Sequence, residues 1–192
     1  MTIMIIGLLI FLGSHSVRIF AENWRQQQIA KHGESTWKLT YAAVSVIGLA
    51  IAIYGFGQMR LNPTYLWFPP MGLRHAVALL MIPAFIMLVA AYVPRNAIKA
   101  KLGHPMMLAV KIWAFSHLLA NGRLGDIIFF SAFLVWAILA FKAAKQRDRN
   151  APPAAIATSM PATIATVVIG LVAYVVFALY LHTLVIGVPA FG

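Results

Sequence analysis

Six long apolar runs, separated by short basic or proline-rich segments, constrain this chain more than any other feature of its sequence. Of its 192 residues, 62% are hydrophobic and only 10% are charged. A soluble domain carries about a quarter charged residues, so this composition indicates a chain that lies in lipid. Backbone polar groups within a bilayer must be paired internally, and apolar runs of roughly 20 residues without alternation therefore form helices.

The sequence predicts an all-α, polytopic membrane helix bundle of about six transmembrane helices, forming a single membrane domain over residues 1–192. The predicted spans are 2–21, 39–59, 73–93, 105–122, 125–143 and 162–186.

The basic residues predict how the chain is oriented. The net charge is +11, but Lys and Arg are concentrated between the apolar runs, which argues for membrane topology and against a nucleic-acid partner. Segments 22–38, 94–104 and 142–162 carry ten Lys and Arg residues, against three in the loops of the other side. This asymmetry predicts that both termini lie outside the cytoplasm, in a multi-pass protein of the bacterial inner membrane surrounded by membrane lipid. The first run lacks a preceding basic segment, so we interpret it as a retained helix.

Histidines are the unusual polar residues of the apolar runs. An unsatisfied imidazole in hydrocarbon is costly, so a histidine within a span indicates a functional site. His15 has Arg18 and Glu22 three and seven residues further on, which predicts one shared helix face. An imidazole ligand with an arginine for a propionate suits a haem site, whereas a structural interpretation pairs Arg18 with Glu22. Five histidines lie in or beside spans: His15, His75, His104, His117 and His182.

The fourth span carries two of these histidines. His117 shares a face with Trp113 one turn before it and Asn121 one turn after it. His104 precedes Pro105, which is typical of a helix start, so His104 is predicted to lie at the helix end. The rise of an α-helix places His104 and His117 roughly 20 Å apart, so a second helix must supply any partner ligand. Lys111 in the same span is predicted either to snorkel or to face a polar cavity.

The remaining composition favours haem b over other metal sites. The chain has no cysteine, which excludes iron–sulfur clusters and thiolate-ligated haem. Non-haem iron and copper sites usually recruit carboxylates or clustered histidines, and none of the four acidic residues lies at the centre of a span. Haem b needs only one or two imidazoles and an apolar slot. Histidines that only pack, in a protein without catalytic activity, are the alternative interpretation.

Two segments resemble a known family. "GSHSVR" (13–18) and "HPMMLAVKIWAFSHLLANG" (104–122) resemble the NnrU family, membrane proteins associated with nitrite and nitric oxide reductase gene clusters, and the related 15-cis-zeta-carotene isomerases. The isomerase branch is known to bind haem b through two histidines. The resemblance implies His15 and His117 as axial iron ligands, with His75 and His104 as secondary candidates. The other residues of the motifs are Arg18, Trp113 and Asn121. The isomerases have a cysteine where this chain has Ala114.

Several functions remain open on this resemblance. The leading prediction is a haem b protein linked to nitric oxide and denitrification, with bis-histidine ligation that opens on reduction. The alternatives are a haem-dependent cis–trans isomerase of a polyene and a two-haem electron-transfer protein using His15 with His104 and His117 with His75. The predicted boundaries place His15 and His117 about two turns apart in depth, which leaves an outer site of His117 with His75 or His182 as a further alternative. The segment "GHPMM" (103–107) also faintly resembles a motif of membrane methyltransferases of the isoprenylcysteine type. Those enzymes use a later acidic pair near the C-terminus, and a methyltransferase is disfavoured because no acidic residue follows Asp148.

Overall fold

The computed structural model describes residues 1–155 and 157–191, and within these ranges the chain forms nine α-helices and no β-strand. The helices are α1 (Thr2–Phe20), α2 (Glu22–His32), α3 (Glu34–Leu61), α4 (Met71–Tyr92), α5 (Ala97–Leu102), α6 (Pro105–Ala120), α7 (Leu124–Asn150), α8 (Met160–Val176) and α9 (His182–Ile186). A π-helical turn, Phe177–Leu181, joins α8 to α9 without interrupting the helix.

The prediction of a polytopic helical membrane bundle is confirmed. Over the described residues, five helical stretches are long and apolar enough to cross a membrane: α1, α3, α4, α7 and the continuous run from Met160 to Ile186. The fourth predicted span, 105–122, is shorter than expected, because α6 ends at Ala120. Its 16 residues extend roughly 24 Å, less than the roughly 30 Å hydrocarbon core. The predicted orientation of the termini stays a prediction.

The packing order of the spanning helices is not their order in sequence. α1 packs between α3 and α7, α6 packs between α7 and α4, and α8 packs on the other side of α4. The closest approach is between α1 and α3, where a Cβ on Gly7 would overlap the backbone of Ala52 and one on Gly55 would overlap Met4. Small residues let membrane helices approach closely, so this pair is held by backbone-to-backbone packing.

α7 supplies the aromatic centre of the molecule. Its phenylalanines Phe129, Phe130 and Phe133 are buried in one core cluster with Met4 and Leu8 of α1. α1 and α6 both pack against α7, so this cluster separates the two helices that carry the candidate ligands. The aromatic layer therefore lies at the position that matters most for the site.

An irregular loop, residues 62–70, closes one end of the bundle. The backbone N–H of Leu66 donates to the carbonyl of Gly122, and that of Leu124 donates to Thr64, both at 2.8 Å. Gly122 is required here, because a Cβ would overlap the carbonyl oxygen of Trp67. This loop joins α3 to α4 and at the same time fixes the α6–α7 connection.

Candidate functional site

His15 lies in α1 among aromatic rings from three helices. Its Nδ1 is 2.8 Å from the carbonyl oxygen of Phe11, one turn earlier in α1, and 3.3 Å from Ser14 Oγ. The rings of Tyr41 from α3 and Trp136 from α7 lie 5.1 and 5.8 Å from the imidazole, centroid to centroid. The side chain is partly buried. The imidazole is thus held on one edge by the backbone and surrounded by apolar faces.

His117 in α6 repeats the same local arrangement. Its Nδ1 is 2.8 Å from the carbonyl oxygen of Trp113, again one turn earlier. The ring of Phe130 from α7 lies 4.6 Å away, and that of Trp113 lies 5.4 Å away. Asn121 Nδ2 donates to the carbonyl of His117 at 2.8 Å, so the predicted one-face set of Trp113, His117 and Asn121 is joined by hydrogen bonds.

His15 and His117 therefore make the same hydrogen bond, from Nδ1 to a backbone carbonyl one turn earlier. A neutral imidazole that donates from Nδ1–H to a carbonyl leaves Nε2 as a bare lone pair, the tautomer that metal-ligating histidines commonly adopt. No residue in the ranges 1–155 and 157–191 makes a hydrogen bond to Nε2 of His15 or of His117. In each case the hydrogen bond assigns the tautomer. Each side chain presents one unused electron pair within an aromatic environment.

The aromatic layer of α7 separates the two imidazoles. The Phe133 ring lies 5.7 Å from Phe11, which contacts His15, and 5.3 Å from Trp113, which contacts His117. In the described part of the chain, α1 and α6 make no helix–helix contact. The rings of Phe130 and Phe133 consequently lie between the two histidines.

The two imidazoles also differ in depth. His15 contacts Trp136, and His117 contacts Phe130, six residues earlier on α7. At 1.5 Å per residue this offset is roughly 9 Å along the helix axis. The depth difference of about two turns expected from the sequence is therefore present in the packed structure.

Arg18 and Glu22 are arranged differently from the prediction of one shared helix face. α1 ends at Phe20, Ala21 has a non-helical backbone (φ −136°, ψ 40°), and Glu22 begins α2, so the helical spacing does not continue to Glu22. Glu22 accepts hydrogen bonds from Arg25 at 2.9 Å and Gln26 at 2.7 Å, and Arg18 lies only at the 4.0 Å limit of an ion pair. The Arg18 side chain is 63% exposed at the end of α1 and remains accessible to an anion.

The other candidate histidines have different surroundings. His104 is the N-terminal flanking residue of α6, as predicted, but its Nε2 lies 2.9 Å from Asp148 Oδ2 and is already engaged. His75, in the first turns of α4, is exposed. His182 Nδ1 lies 2.7 Å from the carbonyl of Val188. Over the described residues, no three His, Asp or Glu side chains come together as a metal-binding group.

A comparison with models of protein families shows which family the chain belongs to. A family model described as NnrU protein matches residues 3–190. The chain belongs to the NnrU family. Neither curated proteins nor solved structures gave a match. The match extends well beyond the two motifs that carry the resemblance, and it includes α8 and His182, which lie outside them.

The donor set of this family member fits haem at each histidine taken singly. Both imidazoles have an unused Nε2, and Trp136 beside His15 has a buried indole N–H without a partner among the described residues. An orphaned buried donor is uncommon and is a group that a ligand acceptor would satisfy. Two imidazoles on one iron, however, need nitrogen atoms roughly 4 Å apart, twice a metal–imidazole distance of about 2 Å. The present packing, with α7 between them, does not provide that arrangement.

Three contacts near the site are not predicted from the sequence. The sequence identifies Trp136 only as part of an apolar span, and packing alone shows its contact with His15. Asp148 is 44 residues from His104, and no local signal links them. The third contact, Arg123 with Asp126 at i, i+3, had a readable signal: opposite charges at helical spacing near the start of a span.

Proposed function

We propose that this NnrU-family protein is a haem b-binding protein of the bacterial inner membrane, in which His15 and His117 would each offer an imidazole nitrogen to haem iron. The observation that supports this most directly is the repeated Nδ1-to-carbonyl geometry, which leaves Nε2 unused at both residues. Over the described residues, Nε2 of each of these two histidines has no hydrogen-bond partner and is open to a ligand. When bound, haem b supplies an iron that exchanges an electron and binds nitric oxide at an open position.

The neighbouring residues have distinct roles in this proposal. The carbonyls of Phe11 and Trp113 hold the imidazoles in the ligating tautomer and orientation. The indole N–H of Trp136 donates a hydrogen bond to a polar group beside His15, and Arg18 pairs with a carboxylate at the membrane edge. The aromatic rings exclude water and keep the local dielectric low, which stabilises a hydrophobic macrocycle.

Because α7 side chains lie between His15 and His117, the number of haems per chain would show whether the two histidines share one iron. A haem shared by both histidines requires the rings of Phe133 and Trp113 to move out of the space between α1 and α6. Separate haems, one at each histidine, do not require the two imidazoles to meet at one iron. The two arrangements predict different haem contents in variants that lack one ligand.

A link to nitric oxide is the proposed role of the iron. We favour it over isomerisation of a polyene because Ala114, where the isomerases have a cysteine, is a fully buried core residue next to the aromatic layer. An alanine offers neither a replacement ligand nor a proton. A bound haem would supply an iron able to bind nitric oxide, and this would require no thiol from the protein.

The testing experiment is a visible spectrum of the detergent-purified protein, oxidised and dithionite-reduced, with haem quantified per chain. We expect a haem b spectrum that changes in His15→Ala and in His117→Ala, while His75→Ala, which removes an exposed imidazole, leaves it unchanged. A shared haem predicts that either substitution alters all of the haem. Separate haems predict that each substitution removes half.

Two results would overturn the proposal. A colourless protein that also fails to take up added haem would exclude haem binding. Retention of the full wild-type spectrum in the His15→Ala, His117→Ala double variant would exclude these two residues as ligands. Addition of nitric oxide to the reduced protein then tests the role separately, because a shifted Soret band requires an accessible iron.

A further inference from the structure

A group of cations surrounds one phenylalanine at the end of α7. Lys142, Lys145 and Arg149 follow one face of α7, and Lys111 reaches the same place from α6; these four residues are named the basic cluster. They lie beside an open groove of about 550 Å³. The residues that line this groove are Phe141, Lys142, Ala143, Lys145, Gln146 and Arg149. The basic cluster lies outside the candidate haem site, and the proposed function does not use it.

Phe141 organises the basic cluster. The Lys111 ammonium lies 3.8 Å from the centre of the Phe141 ring, and the Lys145 ammonium lies 5.8 Å from it. Both distances are within the range of cation–π attraction. Lys111 is in the second turn of the apolar helix α6, so its side chain extends along the helix to bring the charge to Phe141. Two helices thus direct their ammonium groups to one aromatic ring.

The cluster lies at the depth of lipid headgroups. From Leu124 to Phe141, α7 has 18 residues, which extend roughly 27 Å and nearly match the thickness of the hydrocarbon core. Lys142 is the first charged residue after this apolar stretch, and three more cations follow before α7 ends at Asn150. The Phe141 ring is therefore at the boundary of the acyl chains, with the ammonium groups beside the phosphate layer.

The four cations of the basic cluster outnumber the carboxylate beside them, that of Asp148. No carboxylate forms an ion pair with Lys111, Lys142, Lys145 or Arg149 in residues 1–155 and 157–191. The one carboxylate in the segment 142–150 is Asp148, and it is engaged by His104 at 2.9 Å. A cation near hydrocarbon is stabilised by an anion, so an external one is expected here.

We propose that the basic cluster binds the phosphate of an anionic membrane phospholipid, with the acyl chains lying along α6 and α7 beside Phe141. Several cations converge at the headgroup level, so a single lipid phosphate at the membrane surface can contact all of them. An isolated solvated charge offers no such arrangement. Lys111 extends from within the apolar helix α6, so it favours a ligand whose anionic group lies at the boundary between the acyl chains and the headgroups.

The test measures thermal stabilisation of the detergent-solubilised full chain as lipid is added. Phosphatidylglycerol is compared with phosphatidylcholine of the same acyl chains, and glycerol phosphate serves as the soluble anion. We expect saturable stabilisation by phosphatidylglycerol alone. Each lysine near a membrane surface contributes about 1 kcal/mol, so the Lys142→Gln, Lys145→Gln double variant should raise the half-saturating lipid concentration roughly 25-fold.

A matched control removes the same charge elsewhere. Lys31 in α2 and Arg74 in α4 are exposed and form no ion pair in the described part of the chain, so their double substitution by Gln should change the half-saturating lipid concentration less than twofold. Phe141→Leu and Lys111→Met are expected to weaken phosphatidylglycerol binding without changing the surface lysines. Equal weakening by both double variants, or equal stabilisation by phosphatidylcholine, would overturn the site. Equal stabilisation by glycerol phosphate would overturn its assignment to lipid.

Discussion

The two ends of the bundle each carry a short ionic contact, but the contacts differ in construction. Arg123 donates from Nε and Nη2 to both oxygens of Asp126, at 2.6 and 3.2 Å, and the Asp126 side chain is only 2% exposed. At the opposite end, His104 and Asp148 make one contact at 2.9 Å, with both side chains about a quarter exposed. The first contact is closed over by the 62–70 loop, and the second lies beside the basic cluster.

This difference indicates what each end does. A buried, doubly hydrogen-bonded pair with surrounding backbone contacts holds the connections between helices in place. A single, partly exposed contact in a field of excess positive charge leaves the surface available for an anion. We infer that the end with Arg123 and Asp126 stabilises the fold, whereas the end with His104 and Asp148 meets the phospholipid.

The strongest test of this comparison is Asp126→Asn. The substitution keeps the size of the side chain but leaves the Arg123 guanidinium without a buried counter-charge, and breaking a buried pair in this way costs about 3 kcal/mol. The free energy of unfolding, or the midpoint of thermal unfolding in detergent, measures the loss. The matched variant Asp148→Asn, at the exposed end, should lower stability by less than about 1 kcal/mol. Similar losses in the two variants would contradict the assignment of a structural role to one end only.

Gly122→Ala tests the closed end through packing alone. A Cβ at this position would overlap the carbonyl oxygen of Trp67, so the loop must shift and its hydrogen bonds to Gly122 must lengthen. We expect a loss of about 1–3 kcal/mol, as for other overpacked sites. Gly57→Ala in α3 is the control, because a Cβ added there would meet no atom within 4 Å and alanine favours the helix. A neutral Gly122→Ala would mean that the 62–70 loop does not fix this end.

The comparison also shows what the sequence reveals and what it leaves open. The spanning helices were predictable because lipid leaves the backbone no other way to satisfy its polar groups. The contact of His117 with Trp113 was predictable because helical spacing decides it locally. Asn121 follows the end of α6 in extended backbone and reaches His117 by donating to its carbonyl. A continuous helix through Glu22 was not found, because a single non-helical residue, Ala21, precedes a new helix and no proline or glycine marks the break. The alternative interpretation, that Arg18 pairs with Glu22, is met at 4.0 Å.

Contacts between distant helices were not predictable from the pattern. Apolar spans of similar composition do not specify their neighbours, so nothing in the sequence placed α7 between α1 and α6. The same limit applies to His104 with Asp148, which are 44 residues apart. For the candidate site, local spacing therefore predicted each histidine's own environment, and packing decided the relation between them.

Glu22 gives the smallest effect and tests whether the basic end depends on its internal ion pairs. Partial burial raises the pKa of Glu22, but hydrogen bonds from Gln26 and Arg25 outweigh it and hold the pKa below its ordinary value. A carboxylate with a lowered pKa in the folded state contributes stability above the unfolded value of about 4.3, and that contribution is lost as the pH falls through the folded value.

Because solvent screens this pair, Glu22→Gln should cost only about 0.5 kcal/mol at pH 7 and nothing below the lowered pKa. Unfolding midpoints of wild type and Glu22→Gln across pH 3–7 measure this. Glu34→Gln, which removes a fully exposed ion pair with Lys38, is expected to change the midpoint less than Glu22→Gln does at pH 7. A loss that persists at the lowest pH would show that Glu22 stabilises the α1–α2 junction by packing and not by its charge, because only the charge disappears on protonation.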